Sequence, residues 1–152
     1  MIRVQQEDFD VGAELAKLAA GNPGIGGITS FVGTVRNHAE NQEIQAMTLE
    51  HYPGMTEKAL EDIEAEARRR WPLEASLIIH RVGRLEPGDR IVLVATASKH
   101  REAAFESCRF LIDWLKTKAP FWKQEETVEG PRWVAARAED DAAADRWTKE
   151  GA

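Results

Sequence analysis

Cys108 is the only cysteine in these 152 residues. An intrachain disulfide is therefore impossible, and a metal site built from cysteine alone is excluded. The four histidines, His38, His51, His80 and His100, show no metal-ligand spacing with one another or with Cys108. No apolar run approaches the roughly 20 residues that span a bilayer. The opening Met1-Ile-Arg-Val-Gln-Gln-Glu7 lacks the apolar core of a secretion signal. No repeat, low-complexity tract or Pro/Gly/Ser linker divides the chain. Positive charge is also short: the formal net charge is -6, whereas a phosphate backbone needs an extended basic face. These absences predict a single domain in a reducing cytoplasm, with no metal, no resident cofactor, no nucleic acid and no membrane as partner.

Such a chain is long enough to bury roughly 68–70% of its unfolded surface without staples. Met1–Gln5 reads as a short edge strand. Asp10 is placed to cap a helix running to about Ala20, with Val11, Leu15 and Leu18 on one stripe. Gly21–Gly27 forms a loop, and because a strand follows it, its glycines do not match the dinucleotide-binding pattern. Ile28–Val35 is a strand, Arg36–Glu43 a polar loop. Ile44–His51 alternates, with Ile44, Ala46, Thr48 and Glu50 on one face and Met47 and Leu49 on the other. A helix over Thr56–Trp71 turns Leu60, Ile63 and Ala67 inward. Ala75–Val82 and Ile91–Ala97 are strands joined as a hairpin by Leu85-Glu-Pro-Gly-Asp-Arg90. Ser98 then caps a helix to about Lys118, which Pro120 ends. Phe121–Thr127 and Arg132–Arg137 are short strands. From Ala138 the chain is acidic and Ala-rich, either a final helical turn or a loose tail. Residues 1–137 therefore read as one domain and 138–152 as an acidic tail. Three helices among six or seven strands indicate an α+β or mixed α/β fold.

Against its acidic background, the segment 99–123 carries six Lys/Arg and three Asp/Glu, a local +3, leaving -9 elsewhere. Its densest part is Lys116-Thr-Lys118-Ala-Pro120-Phe121-Trp122-Lys123. Cations beside apolar rings suit a pocket for a small, flat anion. Lys116 and Lys118 also fit an ordinary solvated helix end, but Lys123 lies beyond Pro120 in an extended segment. Lys99-His100-Arg101 sits at a helix N-terminus, where backbone amides favour anions; a solvated first turn is the plainer account. Arg36 follows a strand directly, and its planar fork suits phosphate. Cys108 lies on the apolar face of its helix with nothing nearby to stabilise a thiolate, so it reads as a packed core thiol. Any sulfur chemistry must bring its sulfur from elsewhere.

Taken together, FVGTVRNH (31–38), LEHYPGM (49–55), HRVGRLEPGD (80–89), the KHR-led helix (99–101), LKTKAPFWKQE (115–125) and GPRWV (130–134) resemble the large, catalytic subunit of molybdopterin synthase. The likeness spans Gly26 to about Arg137. It implies an α/β hammerhead fold with a mixed sheet and an added small antiparallel β subdomain. It implies a sulfurtransferase that converts cyclic pyranopterin monophosphate into molybdopterin. The two sulfurs come from the C-terminal Gly-Gly thiocarboxylate of a small ubiquitin-like subunit, within a heterotetramer built around a homodimer core. By motif position, Lys116 and Lys123 resemble the family's essential lysines. Arg36, His100 and Arg101 match its anion-binding residues, and Phe31 and Arg137 match pocket positions. The loop 37–42 lacks the glycine many relatives have there, and Asn41 is placed to supply its left-handed conformation.

The mechanism implied has the phosphate held by Arg36, His100 and Arg101, some of them supplied across the dimer interface. Phe121 or Trp122 shapes the pterin-facing wall, or both belong to the core. Two other classes stand beside this one. A non-catalytic module that docks a ubiquitin-like tail would not need Lys123. RNA binding through the basic-aromatic segment would show steep salt dependence, and the chain's acidity counts against it.

Overall fold

The computed structural model describes residues 1–39, 42–134 and 138–148. In chain order the elements are β1 (Ile2–Gln5), α1 (Val11–Ala19), β2 (Gly27–Thr34), β3 (His38–Ala39), β4 (Gln42–His51), α2 (Met55–Arg70), β5 (Leu73–Arg81), β6 (Gly83–Leu85), β7 (Arg90–Ser98), α3 (Arg101–Thr117), β8 (Phe121–Thr127), β9 (Gly130–Val134) and α4 (Ala138–Asp145). The sequence-predicted mixture of helices and hairpin strands is what the chain forms.

Leu77–Ile79 and Leu93–Ala95 are apolar at every position, so neither strand has a polar face to offer water and both faces must be covered. The fold does this with helices on each side. The sheet runs β1-β5-β7-β2, with β1 parallel to β5 and the other pairs antiparallel. Phe9 and α1, through Val11, Leu15 and Leu18, cover Leu77, Ile79, Leu93 and Ala95. On the opposite face α2 and α3 pack Leu60, Ile63, Ala67, Cys108 and Leu111 against Ile78, Val92 and Val94. Asp10 caps α1 as expected, its Oδ1 accepting from the Ala13 amide at 3.0 Å. A second sheet, β3-β4-β8-β9 with β6 also on β4, is joined to the first. Val35, Met47, Leu49 and Leu85 form a small core at that junction.

Four local readings are corrected by tertiary pairing. The link between β5 and β7 is not a plain hairpin, although those strands are antiparallel neighbours. At Gly83 (φ 91°) the chain leaves the first sheet, and β6 pairs with Met47–Leu49 of β4 before the chain returns. The β4 alternation breaks at a bulge between Ile44 and Ala46. Ile44 pairs with Thr127, and so shares a face with Met47 and Leu49 rather than with Thr48 and Glu50. Ser98 does not cap α3, because β7 continues through it and its hydroxyl donates to the Pro72 carbonyl at 2.8 Å; His100 is the N-cap residue. The strand predicted from Arg132 already begins at Gly130, paired with Thr127, and is described to Val134; residues 135–137 and Asn41 lie outside the described residues.

Beyond residue 138 the chain forms α4 and then docks Trp147, 7% exposed, into the core of α2 and α3. The indole N–H donates to buried Asp113 Oδ2 at 2.7 Å, and Arg70 donates to the Trp147 carbonyl at 2.9 Å. Trp71 and Phe110 meet the indole edge to face. Trp147→Ala should therefore lower the unfolding free energy by about 3 kcal/mol in chemical denaturation; a change within about 0.5 kcal/mol would contradict this docking.

Candidate active site

The antiparallel register of β8 on β4 sets Phe121 opposite His51 and Lys123 opposite Leu49. Residues directly opposed share a sheet face. Phe121, Lys123, His51 and Leu49 therefore face inward, over the core that holds Leu49 and Met47. Trp122 faces the other way, 43% exposed, with its ring edge-on to Tyr52 at 4.5 Å. Of the two rings considered for a pocket wall, only Phe121 lies on the lysine side.

Helix α3 runs back along the first sheet, so its last turn, with Lys116, returns to the end where β7 begins. His80 of β5 lies at that same end, opposite Val92. Its ring stacks on Phe121 with centroids 3.9 Å apart and planes 17° apart, and Nδ1 lies 2.8 Å from the Arg81 carbonyl. That carbonyl can only accept, so Nδ1 carries the proton and Nε2 is left as a lone pair. Burial pushes the imidazole well down, to about 4. The carbonyl acts against that shift, and the charges of Lys116, His51 and Lys123 add to it. The charges of two lysines from separate elements, Lys116 of α3 and Lys123 of β8, thus both act on one neutral, immobilised ring.

Arg36 emerges at the same end. Val35, which precedes it, packs with Met47, Leu49 and Leu85, and its amide donates to the Asp89 carbonyl at 2.9 Å. The Arg36 side chain is exposed. His100 and Arg101 are exposed at the opposite end, where β7 finishes. Gly26 presses against that turn so closely that a Cβ would lie 2.0 Å from the Lys99 carbonyl oxygen. Arg101 opens α3 and Lys116 lies in its last turn, so at 1.5 Å per residue they are separated by roughly 22 Å. Within one chain, His100 and Arg101 do not join the lysines. Phe31 lies midway along β2, an edge strand, opposite Val94 and 39% exposed. Arg137 lies outside the described residues.

Cys108 is 3% exposed with Sγ 3.8 Å from the Val94 carbonyl, and burial pushes its thiol up to about 12. It is unfit as a nucleophile. No group of three or more His, Cys, Asp or Glu side chains able to hold a metal ion occurs among the described residues. A cavity of about 110 Å³ between α2, α3 and α4, and an open hollow beside Asp8 and Arg90, are not lined by Lys116 or Lys123.

Charge and aromatic content did not nominate His80, His51 or Glu57. The first two stand inside the motifs HRVGRLEPGD and LEHYPGM, but nothing local to either histidine announces that it faces a lysine. That fact depends on strand pairing.

The sequence model of the family described as MoaE protein matches residues 4–118. A molybdopterin synthase catalytic subunit of Pseudomonas aeruginosa is 60% identical over 146 residues, covering 96% of this chain and 97% of that one. Among solved structures, the molybdopterin biosynthesis MoaE protein from Burkholderia ambifaria superimposes with a TM-score of 0.84 at 59% identity, covering 97% of each chain. Molybdopterin synthase from Staphylococcus aureus keeps a TM-score of 0.81 at 28% identity, over 88% of this chain and 96% of that one.

The depressed His80 pKa gives the site a pH signature. The unfolded imidazole titrates near 6.5 and the folded one near 4, so between those values the unfolded state binds the extra proton. Stability is full above about 6.5 and falls as the pH drops toward 4, by at most about 1.4 kcal/mol per pH unit. Asp8, held at about 2 by its Arg90 hydrogen bond, and Glu66, held at about 2 by Arg69 and Arg70, act at lower pH. Denaturation midpoints should therefore fall from pH 7 to pH 5, and His80→Phe should flatten that slope. Equal slopes for the two proteins would contradict the assignment.

Proposed function

The chain belongs to the MoaE protein family, and on that premise we propose that it is the catalytic subunit of a molybdopterin synthase, a sulfurtransferase of molybdenum cofactor biosynthesis. Its substrate is cyclic pyranopterin monophosphate. Its sulfur donor is the C-terminal Gly-Gly thiocarboxylate of a small ubiquitin-like subunit, bound to a homodimer of this chain in a heterotetramer. The observation that supports this reading is that Lys123 shares the sheet face of Phe121, whose ring stacks on His80, and that the charges of Lys116 and Lys123 both act on that imidazole. A locally cationic surface beside a flat ring suits a thiocarboxylate meeting a pterin. The inert Cys108 fits a reaction whose sulfur is delivered from outside.

Lys116 neutralises the thiocarboxylate and positions its sulfur near a pyran carbon. Attack forms a carbon–sulfur bond as a carbon–oxygen bond at that carbon breaks, with Lys123 as acid and base, protonating the departing oxygen, or as transient anchor for the intermediate. Water then releases the carrier tail, and a second charged carrier delivers the other sulfur. The phosphate is held by Arg36 together with His100 and Arg101 of a second copy, because the length of α3 keeps the latter pair roughly 22 Å from the lysines of their own chain. Phe31, on the exposed edge strand, and Arg137 complete the pocket. No helix among the described residues is long and apolar enough to cross a membrane. A thiocarboxylate donor and an unpaired thiol fit a reducing cytoplasm.

Three outcomes test this. Lys123→Ala should abolish dithiolene product while leaving the complex with the small subunit intact; near-normal turnover would remove Lys123 and favour a docking module without catalysis. Arg36→Glu should weaken pterin binding with unchanged melting, and unaltered affinity would contradict the phosphate role. Mixing Lys123→Ala chains with Arg101→Ala chains, each inactive alone, should restore turnover, since a mixed dimer holds one complete site. Failure to complement, with mixed dimers demonstrated, would place both groups in one chain's site.

A further inference from the structure

His51 and Glu57 form a pair that the reading above leaves unused. His51 ends β4 on the inner face, directly opposite Phe121 and one diagonal step from Lys123. Diagonal neighbours across an antiparallel pair lie roughly 7–8 Å apart, within reach of a long side chain or of one bridging water. Glu57 stands in the first turn of α2, and its Oε2 accepts from the Gly54 amide at 3.3 Å. Gly54 holds φ 87°, a left-handed conformation that favours glycine, so the backbone that aims Glu57 is fixed by residue type. The other carboxylate oxygen, Oε1, lies 3.9 Å from His51 Nδ1. Both atoms are buried without a hydrogen-bond partner.

Two buried, complementary and unsatisfied atoms facing each other require an explanation. The gap exceeds a hydrogen bond by about 1 Å, the looseness that catalytic pairs show before substrate closes them. We propose that His51 and Glu57 form a histidine–carboxylate relay that recharges Lys123 with protons during turnover. This rests on the reading of Lys123 as the site's acid and base. Lys123 gives its ammonium proton to the oxygen leaving the substrate. The resulting amine takes a proton from the His51 imidazolium: the Nε2–H bond breaks, a lysine N–H bond forms, and His51 becomes neutral. Glu57 keeps the Nδ1 proton and balances the charge while the imidazolium exists, and solvent reloads Nε2. Among the described residues, the titratable and charged groups that the geometry sets near His51 are Glu57 from α2, His80 from β5 and Lys123 from β8, with Lys116 of α3 acting on His80 from beyond them. Glu57 is the carboxylate among them. His80, neutral and locked onto the Arg81 carbonyl, does not compete as proton donor.

The test uses the complex of this chain with its thiocarboxylated small subunit and the pterin substrate, assayed for dithiolene product across pH 6–9. Glu57→Gln retains an acceptor for the Gly54 amide, so melting should match the wild type. Glu57→Gln and His51→Asn should each lower kcat at least roughly tenfold with KM and small-subunit affinity unchanged, and both should displace the same limb of the pH profile. The double variant should be no slower than His51→Asn alone. The wild-type complex should also show an exchange-protected downfield imidazole proton that Glu57→Gln lacks. Additive losses, or profiles parallel to the wild type, would overturn the relay. An inactive Lys123→Ala beside fully active His51→Asn and Glu57→Gln sinks the relay alone, whereas an active Lys123→Ala sinks the reading of Lys123 beneath it.

Discussion

The register of β8 against β4 decides which chemical groups face the site, because side chains alternate along a strand and a slip of one residue would reverse every one of them. With Lys123 opposite Leu49, the lysine looks inward, Phe121 stacks on His80, and Glu125 is buried against Arg132 at 3.1 Å. The opposite register would put Trp122 and Gln124 inside and send the lysine to solvent. Apolar burial of Met47 and Leu49 and the β6 strand on the same stretch of β4 hold that register in place. The inward position of Lys123 is thus a by-product of core packing one residue away.

A second constraint is the stiffness of α3. Seventeen helical residues packed along the sheet act as a rod, with an anion-favouring N-terminus at one end and a lysine at the other. A helix cannot bend both ends around one small substrate. In the proposed dimer a two-fold axis can bring one copy's N-terminal end to the other copy's lysine end. In the proposed site, ligands for the substrate come from both chains, so it would be complete only in the assembled enzyme. The C-terminal Trp147, which closes over α2 and α3 and bonds Asp113 one turn before Lys116, stiffens the same end of the rod.

Much of this was legible in the chain itself. The stripes Val11, Leu15, Leu18 and Leu60, Ile63, Ala67 predict helices because the period of 3.6 is local. The apolar runs of β5 and β7 predict buried strands. Lys116 and Lys123 stood out because cations interrupt an acidic chain beside aromatic rings. What was not legible shares one cause. The β4 bulge, the β6 excursion, the orientation of Trp122 and the partnership of His51 with Glu57 each depend on which strand lies alongside. Hydropathy along the chain contains no record of that neighbour.

By itself, the sequence determined the three main helices, the long strands, much of the core and the absence of a usable thiol, and it singled out two lysines, since each follows from residue chemistry or short-range periodicity. Tertiary structure alone decided that Lys116 and Lys123 act on His80 while His100 and Arg101 stand at the far end of α3. Distance in space is set by strand register and helix length, and residues far apart in the chain acquire it only when those elements pack.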